Sequence, residues 1–220
     1  MTFDVATGTW VPVPLQWLAP SGITYAYMSA GGGIRAVTVS DGQSGEVAGG
    51  GWNLIGTLDD GVFATKPGAP GVWFIPFGQD PYQWVDHGGW QRYYGNALWG
   101  VDSSERLVRH ELGNGVETTW GSVLSVSQIS GFDAAGEPVV YTGGQQAIHH
   151  ADGSTTTVWP GTNGLTSSGY VFGDSYGIWF EVDGSSGLVG APGSGIYLWT
   201  QSGGASLVTR EPVHPMGPCI

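Results

Sequence analysis

With 220 residues the chain is long enough to bury a sizeable core. Its 18 acidic against 6 basic residues give a net charge of −12, and the few cations (Arg35, Lys66, Arg92, Arg106, Arg109, Arg210) are too scattered for a nucleic-acid backbone. The 40 Gly and 13 Pro are those of a turn-rich chain, while 11 Trp, 9 Tyr and 7 Phe exclude intrinsic disorder, so Gly-rich turns between aromatic strands predict an all-β fold.

In chain order, Phe3–Val13 reads as a strand, a turn and a second strand. MTFDVATGTW is not basic and no apolar run follows it, so it does not read as a signal peptide. From Leu15 a first unit begins. Gln16–Ala19 is a short apolar run ended by Pro20-Ser21-Gly22, a turn sequence. Ile23–Met28 is rich in β-branched and aromatic residues and is broken by Gly31-Gly32-Gly33. Ile34–Val39 is a third strand, Asp41-Gly42 predicts a type I′ hairpin, and Glu46–Ala48 returns as an outer strand. The unit is one antiparallel meander of four strands.

The plan recurs from Trp52, from Trp90, more loosely from Val126, and from Gly169. In each copy a first strand ends in a turn: Pro20-Ser21-Gly22, Asp59-Asp60-Gly61, Gly95-Asn96, Ala135-Gly136 or Tyr176-Gly177. A second strand carries Tyr25, Phe63, Trp99, Tyr141 or Trp179. A third strand runs through Ile34, Val72, Leu107, Ile148 or Ile196 into another turn. The fourth carries an apolar residue such as Val85, Trp120, Trp159 or Val208. Ser103–Leu112 is the best helix candidate, yet Leu107-Val108 between Arg106 and Arg109, with Gly113-Asn114-Gly115 after it, favours a strand.

Four-stranded meanders of roughly 36–43 residues in tandem are the pattern of a β-propeller. One such sheet is apolar on both faces and must be packed between neighbours. The expected fold is one propeller domain over residues 1–220, with blades near 15–51, 52–89, 90–125, 126–168 and 169–212 and a partial blade at 1–14. Two explanations of residues 1–14 stay open. They are the outer half of a blade in a larger, six- or seven-bladed parent, or a hairpin covering the edge of this array.

WLAPSGITYAY, GWNLIGTLDDGVFAT, GVWFIPFG and NALWGVD resemble the blades of bacterial TolB-like or WD-repeat-like propellers, in particular of uncharacterised exported ones. The resemblance covers nearly the whole chain and weakens at Phe132–Glu137. It implies a partner- or ligand-binding propeller outside the cytoplasm, at the cell surface or secreted. It carries over no catalytic residue.

No stretch marks a site by itself. His149 and His150 are adjacent and face opposite sides of a strand, which suits structure better than metal chelation, and His110 and Glu111 point apart in the same way. His87 stands on a loop between blades. Asp41, Asp60, Asp152 and Asp183 precede glycines as hairpin turns do, and Asp183–Gly187 is too poor in carboxylates for a calcium loop. Asp59, Asp60, Asp102, Asp174 and Glu181 lie near strand ends, but no rule of spacing selects a catalytic pair among them. Cys219, the single cysteine, allows no internal disulfide and is a poor nucleophile candidate. Trp52, Trp84, Trp90 and Trp120 lie near blade boundaries, where Trp packs blade against blade; an exposed Trp would instead stack on a sugar ring. No catalytic residue, metal or cofactor is expected. The expected function is non-enzymatic binding or scaffolding for a protein or glycan ligand, the alternative a lectin or glycoside-active propeller.

Overall fold

A computed structural model describes residues 2–4, 9–11, 17–121, 128–161, 165–184 and 193–210. Strands dominate, and no α-helix occurs among the described residues. Two short strands, β1 (Thr2–Asp4) and β2 (Thr9–Val11), pair antiparallel with Phe3 opposite Trp10, as the N-terminal pattern predicts.

The remaining strands follow as meanders in sequence order. The first is β3 (Thr24–Met28), β4 (Ile34–Thr38) and β5 (Ser44–Ala48). The second is β6 (Asn53–Thr57), β7 (Gly61–Lys66), β8 (Ala69–Pro76) and β9 (Tyr82–Val85). The third is β10 (Trp90–Tyr94), β11 (Ala97–Val101), β12 (Leu107–Glu111) and β13 (Glu117–Thr119). The fourth is β14 (Gln128–Phe132), β15 (Pro138–Thr142), β16 (Gln145–His149) and β17 (Thr155–Trp159). The fifth is β18 (Leu165–Asp174), β19 (Gly177–Gly184), β20 (Gly195–Thr200) and β21 (Gly204–Thr209). This is the architecture of β-propeller blades. The segment 103–112 holds strand β12, not a helix.

Four details differ from the sequence reading. Among the described residues the first strand of the first meander is a single bridge, Leu18 to Tyr25, with the turn beginning at Pro20, which lacks a donor; Gln16 lies outside the described residues. The fifth meander starts at Leu165, ahead of Gly169. Val208 on the outermost strand is half exposed rather than packed. Asp41-Gly42 is not a type I′ turn: only Gly42 has positive φ, and the pair closes a longer loop in which Gly42 N–H donates to Thr38 O. The paired positive φ values of a type I′ turn occur at Gly95-Asn96, both at 59°.

The described residues divide into two compact units, one through Trp99 and one from Gly100, the boundary falling within β11. In the first unit β3 packs on β6 and β6 on β10. Its core joins Ala26 and Ile34 of the first meander to Leu54, Val62, Ala64 and Ile75 of the second. In the second unit β14 packs on β18, and Val139, Ile148 and Val158 meet Val171, Ile178, Phe180 and Val182. The third-strand residues Ile34, Val72, Leu107, Ile148 and Ile196 are all buried, as their repeat position requires.

Candidate functional site

Tyr82 and Trp84 of β9 both reach Phe74 on one face of the second meander, and Gln83 points to the other; Trp84 is the extra residue of a β-bulge between the pairs Gln83–Trp73 and Val85–Val72. Register places Tyr82 opposite Phe74 of β8, and Phe74 lies opposite Phe63 of β7. The four rings form one layer on this face. Phe63 and Phe74 have centroids 5.2 Å apart. Trp84 stands edge-on to Phe63 at 5.6 Å and to Phe74 at 5.9 Å. Tyr82 stands edge-on to Phe74 at 5.7 Å. Tyr93 of β10 closes the inner end, 5.7 Å from Phe63.

The layer changes from dry to wet along its length. Phe63 is 1% exposed and Phe74 6%, whereas Trp84 is 40% and Tyr82 46% exposed. The outer two rings lie 6.0 Å apart and 33° from parallel, a shallow shelf with a rigid aromatic floor. Large exposed aromatics supported by buried ones are the usual anatomy of a binding hot spot. Trp84 thus departs from the expectation of blade packing. The pattern Tyr82-x-Trp84 was the available signal, since period two puts both rings on one face. Which face stays open could not be read from it.

The electrostatic setting is acidic. Asp80 precedes β9 and Asp86 follows it, both exposed. His87 Nδ1 lies 3.1 Å from Asp86 Oδ1, and this hydrogen bond holds the Asp86 carboxyl below its usual range. Burial, and then the negative charge of Asp59, push the Tyr93 phenol up. Lys66 sits on the opposite face. Its ammonium lies 5.3 Å from the ring centre of Trp52, which is edge-on to Trp73, the neighbour of Phe74 on β8.

Trp90 and Trp120 are structural, as expected. Trp90 is buried and donates from Nε1 to His87 O. Trp120 donates to His149 O at 2.8 Å, tying the third meander to the fourth, with the Arg109 guanidinium over its ring.

The carboxylates of Asp59, Asp102, Asp174, Asp41 and Asp152 are occupied with turns. Asp59 Oδ1 accepts from Ser21 N–H and joins the turns of the first two meanders. Asp60 lends its main-chain carbonyl to Phe77 N–H. Asp102 accepts from the Arg106 amide, the Arg106 guanidinium and the Ser104 amide, which hold its carboxyl below the usual range. Asp174 accepts from the Tyr176 and Gly177 amides and from Trp179 Nε1. Asp41 and Asp152 accept from Gln43 and Ser154 amides. Glu181 lies opposite Ile196, inside the sheet of the fifth meander. The segment after Asp183 runs into residues outside those described, as does Cys219.

The histidines are placed apart. His110 lies 3.0 Å from Glu117 and Glu111 takes Arg109. His150 bridges Glu137 at 2.7 Å and Thr156 at 2.8 Å. His149 is buried, its Nδ1 without a hydrogen-bond partner, and burial, then His150, hold its pKa down. Among the described residues no three His, Cys, Asp or Glu side chains gather as a metal site requires.

No protein-family model and no curated protein matches the sequence. Solved structures do match by fold. TolB from Acinetobacter baumannii superposes with a TM-score of 0.52 and 16% identity, over 77% of this chain and 51% of that one. An oligogalacturonate lyase in complex with manganese superposes with a TM-score of 0.52 and 14% identity, over 85% of this chain and 62% of that one. The fold is of the TolB-like propeller type. The chain spans about half the length of the TolB structure.

Proposed function

We propose that this chain is a non-enzymatic binding module: a propeller scaffold that presents the Tyr82–Trp84 shelf to a protein partner outside the cytoplasm. The observation that carries the reading is the continuity of the aromatic layer. A buried Phe63–Phe74 floor fixes two exposed rings in place, so these rings lose little side-chain entropy when a partner covers them. The acidic composition and the resemblance to exported propellers support the location, which cell fractionation tests.

Peptide and glycan arrays probed with the wild type and with Trp84→Ala provide the test of function. Ligands whose signal disappears in the variant support the shelf. Ligands that bind both equally place the contact surface elsewhere.

A second reading, carbohydrate binding or processing, is favoured by the open indole face of Trp84, the kind of surface that stacks on sugar rings. One of the fold neighbours is also named for an oligosaccharide. A sugar-dependent rise in the unfolding midpoint that is lost in Trp84→Ala would select this reading.

A further inference from the structure

The character of the partner is written in the charges around the shelf, granted that the shelf is the binding surface. We infer that the Tyr82–Trp84 shelf receives the guanidinium of an arginine carried on a basic, extended peptide segment of the partner protein.

Three observations converge on this occupant. The first is ring geometry. Two exposed faces 6.0 Å apart and 33° from parallel let one planar cation lie within about 6 Å of both ring centres, the range of a cation–π contact. A guanidinium is flat and weakly hydrated and stacks on such faces better than an ammonium does.

The second observation is charge. Asp80-x-Tyr82-x-Trp84-x-Asp86 sets a carboxylate at the same two-residue spacing before and after the two rings. Hydrogen bonding from His87 keeps Asp86 in its anionic form. Between Asp59 and Asp86 the sequence holds one cation, Lys66, and it is engaged with Trp52 on the opposite face. The shelf is therefore flanked in sequence by a carboxylate on each side, and β8 and β9 carry no cation of their own.

The third observation is topology. β9 is the outermost strand of its sheet, so a segment lying beside it meets an edge that has no further strand partner among the described residues. An extended peptide added there would present alternate side chains to the aromatic face. Gln83, pointing the other way, donates to Pro70 O at 2.9 Å and holds the edge in place.

The test is fluorescence anisotropy with a labelled peptide of alternating Arg and Ser, and with the same peptide carrying citrulline, the neutral isostere, in place of Arg. The Arg peptide is expected to bind the wild type, with Trp84→Ala and the citrulline exchange each weakening binding about tenfold and Trp84→Phe retaining most of it. Asp80→Asn/Asp86→Asn, which touches no core residue, weakens the Arg peptide alone and separates a lost site from a lost fold. Equal binding of the Arg peptide to wild type and Trp84→Ala overturns the inference, because the acidic surface at large is then the ligand. No binding of the Arg peptide also overturns it. If glycans or uncharged peptides nevertheless bind and are lost in Trp84→Ala, the shelf reading survives and only the basic partner falls. If every ligand ignores Trp84→Ala, both fall.

Discussion

Glu105 carries a side chain where the same turn elsewhere has none. Four hairpin turns share one hydrogen-bond scheme, beginning at Ser29, Asp102, Asp133 and His150: the first residue donates to the carbonyl of the fifth and accepts from the amide of the fourth. The fourth residue is Gly32, Gly136 or Gly153 in three of them, at φ of 76°, 82° and 88°. In the remaining turn it is Glu105, at φ 60°. The Asp102 carboxylate, which accepts two amides of its turn and binds the Arg106 side chain, compensates for that strain. Left-handed backbone costs a side-chain-bearing residue about 1–2 kcal/mol, and the greater freedom of Gly in the unfolded chain returns part of this. Glu105→Gly is therefore expected to stabilise by about 0.5–1 kcal/mol, a rise of ~1–4 °C in melting temperature by calorimetry. Glu105→Gln, which removes the charge but keeps the Cβ, separates the causes. If Gln raises the midpoint as much as Gly does, charge and not backbone strain was relieved.

At the scale of strands, two inner strands solve one packing problem in the same way. β6 (Asn-Leu-Ile-Gly-Thr) and β14 (Gln-Ile-Ser-Gly-Phe) each have a register irregularity just before Gly56 and Gly131. A Cβ on Gly56 would lie 2.3 Å from the Tyr93 Cβ, and one on Gly131 2.0 Å from Val171 O. Both glycines let an inner strand touch the inner strand of the following meander. Gly56→Ala and Gly131→Ala should each cost about 3 kcal/mol, the upper end of overpacking, because the atoms in the way are close to or part of the main chain. Gly45 on the outer strand β5 meets nothing within 4 Å, so Gly45→Ala is neutral or slightly stabilising. Urea midpoints of the three variants check this. Equal effects would mean that ordinary strand glycine entropy, not close approach, sets the cost.

The same comparison shows what was legible in the sequence. The meanders were, because each turn needs Gly, Asn or Asp and each third strand needs a buried aliphatic, and these recur at fixed offsets. The contraction of the first strand to Leu18 among the described residues was not, since strand length depends on whether main-chain donors find acceptors across the sheet. Asp41-Gly42 was misassigned because a DG pair closes two loops of different length equally well. The site was legible only in its parts. Phe63, Phe74 and Trp84 sit on three strands, and their union into one layer with an open end is a property of register. Trp84 in particular has the composition of a packing residue, and only its exposure distinguishes it from Trp90.

For the molecule as a whole, net charge makes two predictions of opposite sign from one cause. The 18 carboxylates outnumber the 6 Lys and Arg threefold, so the average interaction between charges is repulsive. Ion pairs that oppose this, such as Arg106–Asp102 at 2.7 Å and Arg109–Glu111 at 2.9 Å, lie at or near the surface. Such pairs contribute little, and salt removes little by screening them. The Debye length falls from ~30 Å at 0.01 M to ~8 Å at 0.15 M, which silences the distant repulsions and leaves near contacts largely intact. Adding salt over this range should therefore stabilise the fold by on the order of 1 kcal/mol, ~2–4 °C in melting temperature. The affinity for an Arg-bearing peptide should fall over the same range, because screening also weakens the attraction of that peptide to the acidic surface. Calorimetry and anisotropy on one set of samples read both signs. A midpoint that falls with salt would mean that local pairing outweighs the net charge. Affinity that stays flat while the midpoint rises would place peptide recognition in the aromatic contact alone, with Asp80 and Asp86 as bystanders.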